Sequence, residues 1–588
     1  MIRYAQGLYW TDTLLWLCIS GLPALPGLVI REFFNRLTDR SNLTLSPWAW
    51  IAVLLAIGVA RIAAIITGRI TKTQHRFTMS ALVQRNLLAN LFARPGAEPL
   101  IVSKAGDRAL SPGEAIGFFR EDVAQIEDNV AGTNEIFGEG VFAIGSLVLL
   151  STVNAKITLF VFLPLVLMVA ILHRMTARIE RYRRTSRQAS QQVAGTIGEM
   201  FAAVQAIQVA GAERSVLGHF RRLCDRRCQA MVKDQLLTVI LESSFENLAS
   251  LGTGAILFFA ASSMQSLAGG LSVGDFALFV YYLSYVTYFF GFLGGFLTLS
   301  KQSEVSFERM EGLVNAKAQV LVAHHRLYLP SLTGRKPPLP KISPQQVEAP
   351  NDRLQELLAI DLSYRYPGSD RGIRDISLEI QRGSFTVITG AIGSGKTTLL
   401  RVLLGLLPLP AGEIYWNGQR VANPAQFLVP PRCAYTPQVP QLFSTTLREN
   451  ILLGLPTSDA QLQQAIALAA FDRDLAAMPD GLDTRLGSRG MRLSGGQIQR
   501  VAAARMLVRQ SQLLVFDDLS SALDVETEQT LWSKLFTLSS SAETWMPTFL
   551  VVSHRSAVLQ RADRIILLDN GSVALEGTFT DLPAAYTR

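Results

Sequence analysis

Six apolar stretches occupy the first half of the chain, and they limit its fold more than any other feature. A helix needs about 20 apolar residues to cross a lipid bilayer, and these stretches approach that length. Because a bilayer offers the backbone no hydrogen-bond partners, each stretch is predicted to be a helix. The stretches comprise residues 13–34, 48–68, 136–153, 157–172, 248–264 and 276–299, with a tight hairpin predicted around Asn154.

The amino-acid composition favours a membrane protein. Hydrophobic residues make up 49% of the chain, charged residues make up 17%, and the mean hydropathy is +0.25. An ordinary soluble protein has about 25% charged residues, so much of this surface is expected to face the lipid bilayer. A net charge of +8 raises the question of nucleic acid. Because the basic residues cluster beside the apolar stretches, we expect no nucleic acid partner.

The connections between the stretches differ in charge. The second-to-third and fourth-to-fifth connections are long and rich in arginine and lysine, whereas the opposite side carries few positive charges. By the positive-inside rule the basic connections are cytoplasmic, and so are both termini. No cleavable signal peptide is expected, because no basic run precedes the first stretch. Cysteine use fits a reducing interior, and Cys224 and Cys228 lack the further ligands of a zinc site.

A proline-rich segment separates the two halves of the chain. Proline cannot continue a helix, so this density predicts a semi-extended linker. The sequence thus predicts a membrane domain of residues 1–315, a linker of residues 316–352 and a second domain of residues 353–588. The prolines of the linker are Pro330, Pro337, Pro338, Pro340, Pro344 and Pro350.

A glycine-rich loop in the second domain follows a β-branched strand at residues 385–389 and precedes a helical pattern. This order of strand, loop and helix is the context in which such a loop binds phosphates through backbone N–H groups. Lys396 can reach the β- and γ-phosphates of ATP, and the Thr397 hydroxyl can coordinate Mg²⁺. The residues predicted to bind the nucleotide here are Gly390, Ala391, Ile392, Gly393, Ser394, Gly395, Lys396, Thr397 and Thr398.

A second motif, Leu-Ser-Gly-Gly-Gln, stands downstream at residues 493–497. With the glycine loop and the six apolar stretches, it resembles the ATP-binding-cassette (ABC) half-transporters of the exporter type over essentially the whole chain. The resemblance implies a fold of six transmembrane helices with long cytoplasmic extensions, joined to an α/β P-loop domain with a helical subdomain. It also implies a multi-pass protein of the bacterial inner membrane with a cytoplasmic ATPase domain.

The resemblance implies roles for further residues. Tyr366, in the sequence Tyr-Pro-Gly, would stack on adenine, and residues 521–524 match the D-loop at the dimer interface. The metal would be held by Thr397, Gln438 and Asp517, and catalysis would involve Asp518, His554, Gln438 and Lys396.

The family's active form is a dimer. ATP on one chain's glycine loop would be covered by the partner's signature motif, which here comprises Ser494, Gly495, Gly496 and Gln497. The family usually has glutamate where this chain has Asp518, and a displacement on the order of 1 Å at a catalytic group can cost about a hundredfold in rate. Slow hydrolysis at the chain's own site, with an intact signature, favours a heterodimer with a second half-transporter. Retention of His554 speaks for a homodimer.

The sequence marks the residues that would bind the transported substrate less clearly than those that would bind ATP. Arg61 lies inside the second stretch, and Glu242 and Glu246 are one helical turn apart near the fifth. Such residues face a cavity or pair with each other, so a cation pocket and structural pairing both remain open. The expected function is export of an amphipathic, lipid-like, peptide or drug-like substrate. An importer with the exporter-type fold and a membrane-anchored regulatory ATPase are the alternatives. Residues 111–116 with 122–123, and residues 204–213, resemble coupling segments.

Overall fold

The chain forms two units in the computed structural model. One unit comprises Met1–Asn90 and Leu100–Pro337, and the other comprises Leu91–Pro99 and Pro338–Arg588. The structure describes residues 1–38, 45–99, 112–264, 271–330, 334–335, 337–339, 353–487, 493–519, 522–540 and 545–583. The division at Pro337 falls inside the predicted linker, much of which lies outside the described residues. The limits at residues 315 and 353 therefore stay predictions.

The first unit is helical in its described parts. Its longest helix, α5, has 80 residues and contains one non-helical residue, Asn154, with φ −157° and ψ 100°. The Asn154 side-chain oxygen accepts a hydrogen bond from the Ile157 N–H at 3.1 Å, which caps the helix where it resumes. The helices are α1 (Gln6–Gly21), α2 (Ala24–Leu37), α3 (Pro47–Phe92), α4 (Pro112–Gly117), α5 (Val123–Ala202), α6 (Val204–Val209), α7 (Glu213–Met264), α8 (Val273–Val314) and α9 (Ala318–Leu321).

Four helical segments of the described residues are long and apolar enough to cross a membrane. They contain the first, second, third and sixth predicted stretches. The fourth and fifth predicted stretches lie within α5 and α7, where many side chains are outside the described residues. The four segments are Ile2–Leu37, Pro47–Phe92, Ala115–Phe160 and Val273–Val314.

Glycines allow α2 and α8 to approach closely. A Cβ atom on Gly274 would lie 2.2 Å from the Arg31 carbonyl oxygen, so only hydrogen fits there. The Arg31 guanidinium pairs with Asp275 at 2.7 Å. Further along α8, the Tyr282 hydroxyl donates to the Ala24 carbonyl oxygen at 2.7 Å. These contacts hold α2 against the N-terminal part of α8.

The second unit is built on two sheets. The first is four-stranded and antiparallel, in the order β2-β1-β4-β5, and the second is six-stranded, in the order β10-β9-β3-β8-β7-β6. In the second sheet all neighbours are parallel except β10 with β9. The strands are β1 (Glu356–Arg365), β2 (Gly372–Gln381), β3 (Phe385–Gly390), β4 (Ala411–Trp416), β5 (Gln419–Arg420), β6 (Cys433–Thr436), β7 (Leu513–Asp517), β8 (Thr548–Val552), β9 (Arg564–Asp569) and β10 (Ser572–Gly577).

The helices in the described part of this unit are α10 (Lys396–Leu403), α11 (Pro424–Phe427), α12 (Leu447–Leu452), α13 (Asp459–Leu468), α14 (Asp472–Ala476), α15 (Gly495–Leu507), α16 (Val525–Ser540) and α17 (Ser556–Leu559). Helix α10 packs on one face of the six-stranded sheet, and α15 and α16 pack on the other. Side chains that alternate along one strand enter different cores: Ile388 packs with α10, whereas Val387 packs with α15 and α16. Burial on both faces explains why β3, β7 and β8 are apolar without alternation. The ends of these strands therefore have a fixed position.

Within the helical subdomain, which comprises α12–α15, two partly buried arginines connect the last helix to the first. The Arg505 guanidinium donates to the Asn450 carbonyl oxygen at 2.8 Å, and the Arg509 guanidinium donates to the Leu452 carbonyl oxygen at 3.1 Å. Both carbonyls belong to the last turn of α12, where a positive charge is favourable. Burial lowers the pKa of Arg505 to about 10, with the Arg509 charge contributing. The guanidiniums thus tie α15, which begins at the signature motif, to α12.

Candidate functional site

The glycine loop connects β3 to α10 through backbone conformations that favour glycine. Gly390 has φ +141° and Gly395 has φ +102°. A Cβ atom on Gly390 would lie 2.2 Å from the Leu568 carbonyl oxygen in β9. Gly395 is the residue that precedes the first turn of α10. The loop therefore presents the N-terminal end of a helix, which attracts anions.

Polar groups of the loop face its interior. The Lys396 ammonium donates to the carbonyl oxygens of Gly390 at 2.9 Å and Ala391 at 2.8 Å. Burial lowers the pKa of Lys396, and the charges of Asp517 and Asp518 act in the opposite direction. The Ser394 hydroxyl is buried and finds no hydrogen-bond partner among the described residues, whereas Ile392 is 100% exposed. A buried, unsatisfied hydroxyl beside a lysine fits a site for phosphate oxygens.

Asp517, the last residue of β7, is 1% exposed and has both carboxylate oxygens engaged. The Thr397 hydroxyl donates to Oδ1 at 3.0 Å, and the Tyr435 hydroxyl donates to Oδ2 at 3.3 Å. Burial raises the pKa of Asp517, and these hydrogen bonds oppose the rise. Carboxylate and hydroxyl oxygens are the ligands that Mg²⁺ prefers, so this donor set fits the predicted metal.

Asp518 lies one residue beyond the strand, in a left-handed conformation with φ +53°. Its N–H donates to the Val552 carbonyl oxygen at 3.1 Å, and its carboxylate accepts from the Gln438 amide at 3.2 Å. His554 follows Val552 by two residues. Burial lowers the pKa of His554, the Lys396 charge adds to that effect, and the Asp518 charge opposes it. The structure thus brings Asp518, Gln438, His554 and Lys396 to one edge of the sheet.

Tyr366 lies beside the same helix. Its ring packs edge-on against Tyr364 with 5.1 Å between centroids, and its hydroxyl is 3.3 Å from the Thr398 hydroxyl. A cavity of about 340 Å³ is lined by the turn that contains Tyr366, comprising residues 365–370. The aromatic ring is therefore placed next to the glycine loop by its contact with α10.

The signature motif forms the first turn of α15. The Ser494 hydroxyl accepts from the Gln497 N–H at 3.3 Å, and the Gln497 side-chain oxygen accepts from the Ser494 N–H at 2.9 Å. The Gln497 amide donates to Asp474 at 2.8 Å. A Cβ atom on Gly496 would lie 2.9 Å from the Ala522 carbonyl oxygen, while Gly495 has more space. The polar groups of Gln497 are thus used inside the helical subdomain rather than at the glycine loop of the same chain.

Two polar residues of this region were missed by the sequence reasoning. Tyr435 contacts Asp517, and Gln499 donates to the Gln438 carbonyl oxygen at 3.4 Å and accepts from the Ala522 N–H at 3.1 Å. Both contacts join residues that are far apart in sequence. The parallel pairing of β6 with β7, in which Tyr435 stands opposite Val515, has no signal in the sequence.

The first predicted coupling segment, residues 111–116 with 122–123, stays a prediction. Residues 112–123 belong to the first unit, and residue 111 lies outside the described residues. A preceding segment, Leu91–Pro99, belongs to the second unit. There the Ala97 N–H donates to the Leu406 carbonyl oxygen at 2.8 Å, and Ala97 packs against the core of that unit. This contact depends on a backbone hydrogen bond, which no side-chain motif encodes.

The other predicted segment and the candidate cargo residues lie in the first unit. Residues 204–213 include the short helix α6, which leaves Val209 exposed. Arg61 interacts electrostatically with Glu139 and with Tyr281. The side chains of Glu242 and Glu246 lie outside the described residues. The cation-pocket hypothesis therefore stays a prediction.

Two family models match the chain. The model described as the ABC transporter transmembrane region matches residues 28–290, and the model described as ABC transporter matches residues 373–521. Together these matches span most of the chain and join a membrane region to a C-terminal ATPase domain.

Several bacterial proteins are similar along most of their length. The ATP-dependent lipid A-core flippase of Chromobacterium violaceum is 28% identical over 586 residues, covering 98% of this chain and 93% of that protein. The protein of the same name from Xanthomonas campestris is 27% identical over 445 residues, which cover 75% of this chain and 70% of that protein. A solved structure of a bacterial Atm1-family ABC exporter with ATP bound matches 99% of this chain and 96% of its own, with a TM-score of 0.76. At 20% identity, that match shows the fold alone.

Proposed function

Because this chain belongs to the ABC transporter family, with membrane region and ATPase domain in one polypeptide, we propose that it is one half of a dimeric, ATP-driven exporter. Its ATPase domain binds ATP, and hydrolysis is coupled to transport. Half-transporters of this family work as dimers. In the proposed cycle, ATP draws two ATPase domains together, and hydrolysis separates them.

The hydrogen bonds of Gln497 support this proposal. Lys396, Thr397 and Asp517 meet at the sheet edge, whereas Gln497 is bonded to Ser494 and Asp474 in the helical subdomain. A nucleotide on the glycine loop would thus be covered by Ser494, Gly495, Gly496 and Gln497 of a second chain.

Each group at the sheet edge has a proposed role. Lys396 and the loop N–H groups bind the phosphates, and Tyr366 stacks on adenine. Mg²⁺ would be held by Thr397, Gln438 and Asp517, and when bound it would neutralise charge on the phosphate oxygens. Asp518 orients and polarises the attacking water, and His554 contacts the γ-phosphate. The hydrogen bond between Gln438 and Asp518 supports their joint action, because it links a proposed metal residue to the proposed base.

The short side chain of Asp518 supports slow hydrolysis at this chain's own site and a heterodimer in which the intact signature serves the partner's site. The test is the Mg²⁺-dependent ATPase rate of the chain purified alone. We expect a low rate that Asp518→Glu raises by as much as about a hundredfold, because the carboxylate then reaches further. Asp518→Asn is expected to abolish the remainder. A high wild-type rate that Asp518→Asn removes would contradict a weakened site.

An amphipathic substrate is supported by two observations. The relatives named above are lipid A-core flippases, whose name describes movement of a lipid. In this chain, Arg61 interacts electrostatically with Glu139 and Tyr281, and all three residues lie within predicted apolar stretches, which would suit a molecule with polar and apolar parts. The proposed location is the bacterial inner membrane, with both termini and the ATPase domain cytoplasmic.

Direction of transport is tested with inverted membrane vesicles, in which the ATPase domains face the added ATP. An exporter accumulates a labelled lipid or amphipathic dye in the vesicle lumen on addition of ATP. Loss of substrate from preloaded vesicles would instead indicate the importer. ATPase activity without movement across a set of lipids, peptides and drugs would favour the regulatory ATPase. Vesicles that contain the Lys396→Ala variant provide the control, because this variant lacks the proposed phosphate-binding lysine and is expected not to hydrolyse ATP.

A further inference from the structure

We propose that Tyr435 is a positioning residue for the carboxylate of Asp517, and that its hydroxyl sets how tightly the nucleotide site holds its divalent metal. This inference rests on the proposed metal role of Asp517. The sequence alone predicted no role for Tyr435.

The sheet places the tyrosine on the correct face. Tyr435 pairs with Val515 across the parallel strands β6 and β7, and Asp517 is two residues beyond Val515. Side chains two residues apart on a strand point to the same face, so Tyr435 and Asp517 both face α10. The Tyr435 ring packs against the buried cluster on that face. The ring is therefore fixed, and the hydroxyl has a defined position.

The hydroxyl completes a pair of hydrogen bonds on the carboxylate. It donates to Oδ2 at 3.3 Å, while the Thr397 hydroxyl donates to the other oxygen, Oδ1, at 3.0 Å. The last torsion of an aspartate is broad, so a carboxylate in a strand-end position takes its orientation from such bonds. Without the phenol, Thr397 is the one remaining donor to Asp517 among the hydrogen bonds of the described residues. Asp517 could then rotate.

A basic residue on α10 supports the tyrosine. Arg401 interacts with the Tyr435 hydroxyl and with the Asp517 charge. It stands one helical turn after Thr397, so both lie on the same face of α10. Thr397 and Arg401 therefore flank the pair formed by Tyr435 and Asp517. Partners that orient a metal-binding side chain commonly change metal affinity by about 10-fold to 100-fold when removed.

The test is Tyr435→Phe in the full-length protein, because phenylalanine removes the hydroxyl and keeps the packed ring. Mn²⁺ serves as the probe and is followed by electron paramagnetic resonance in the presence of AMP-PNP, an ATP analogue that is not hydrolysed. We expect the Mn²⁺ concentration for half-saturation to rise about tenfold. The affinity for AMP-PNP in EDTA should not change, because the phosphate-binding loop is intact.

Matched variants separate the outcomes. Tyr415→Phe removes a phenol bonded to Glu413 on the other sheet and should leave Mn²⁺ binding unchanged. If Tyr435→Phe fails to fold, Tyr435→Met, which also lacks the hydroxyl and keeps a large apolar side chain, provides the same test and should also raise the Mn²⁺ requirement. Unchanged Mn²⁺ binding in Tyr435→Phe, or an equal loss of AMP-PNP affinity in EDTA, would overturn the inference. Unchanged Mn²⁺ binding in Asp517→Asn would instead overturn the metal site on which the inference rests.

Discussion

Adjacent aspartates at the end of β7 are placed in different surroundings, and this gives them different proposed tasks. Asp517 ends the strand, is buried and accepts hydrogen bonds from Thr397 and Tyr435. Asp518 turns into the left-handed conformation and meets Gln438 at the edge of the sheet. A buried, oriented carboxylate suits metal binding, whereas a carboxylate at the edge can reach water. The difference between the surroundings of Asp517 and Asp518 follows from the change to a left-handed backbone conformation at Asp518.

The glycines of the phosphate loop differ in how much they tolerate a side chain. Gly390→Ala places a Cβ atom 2.2 Å from the Leu568 carbonyl oxygen, in addition to an unfavourable φ of +141°. We expect a loss of stability of about 3 kcal/mol or more, because strand β9 must move. Thermal unfolding of the purified protein without nucleotide measures the loss.

Gly393→Ala is the matched control. Gly393 has φ +86°, but among the described residues beyond its chain neighbours no heavy atom lies within 4 Å of the position that a Cβ would take. The cost is then backbone strain alone, roughly 1 kcal/mol. Equal losses of stability in the two variants would show that the contact with β9 does not matter.

At the scale of elements, the end of α3 leads into a segment whose contacts lie in the second unit. The segment Leu91–Pro99 belongs to the second unit although it directly continues a helix of the first. Its Arg94 and Glu98 are paired at 3.4 Å, and its Ala97 is hydrogen-bonded to Leu406, just after α10. A movement of the phosphate-binding helix can therefore act on this segment directly. We propose that Leu91–Pro99 couples ATP use to transport.

Ala97→Asp tests this coupling. A carboxylate at a position that packs against an apolar core costs about 1–3 kcal/mol, enough to release the segment. We expect transport per ATP hydrolysed to fall several-fold in reconstituted vesicles, while hydrolysis itself continues because no group of the nucleotide site is changed. Ala93→Asp, at an exposed position of the same segment, should keep the wild-type ratio. An unchanged ratio of transport to ATP hydrolysis in Ala97→Asp would exclude this contact as the coupling route.

At the scale of the whole molecule, orientation in the membrane can be tested with a native cysteine. Cys228 is exposed on α7, in the basic connection predicted to be cytoplasmic. In a chain that keeps only this cysteine, we expect a membrane-impermeant maleimide to label inverted vesicles and not intact cells. Lys156→Cys in a cysteine-free chain, two residues after the break at Asn154, should give the opposite result. Labelling of Cys228 in intact cells would reverse the proposed topology.

Much of this organisation was accessible from the sequence because its signals are local. The proposed phosphate site uses the backbone of consecutive residues 390–397, so composition and order are enough to identify it. The apolar stretches are also contiguous, and four of them correspond to the long apolar helices of the described residues. The hairpin point at Asn154 was predicted for the same reason. Family membership followed from these motifs and was shown by the family models.

Tertiary structure alone decided which distant residues meet. Tyr435 reaches Asp517 because β6 and β7 pair in one particular register, and a shift of one residue would turn the ring to the other face. Gln499 joins Gln438 to Ala522, and Ala97 joins Leu406, through backbone atoms that every sequence possesses. Local motifs specify the groups that bind ATP. The orientation of those groups depends on sheet register and backbone contacts, and these are set only when the whole second unit packs.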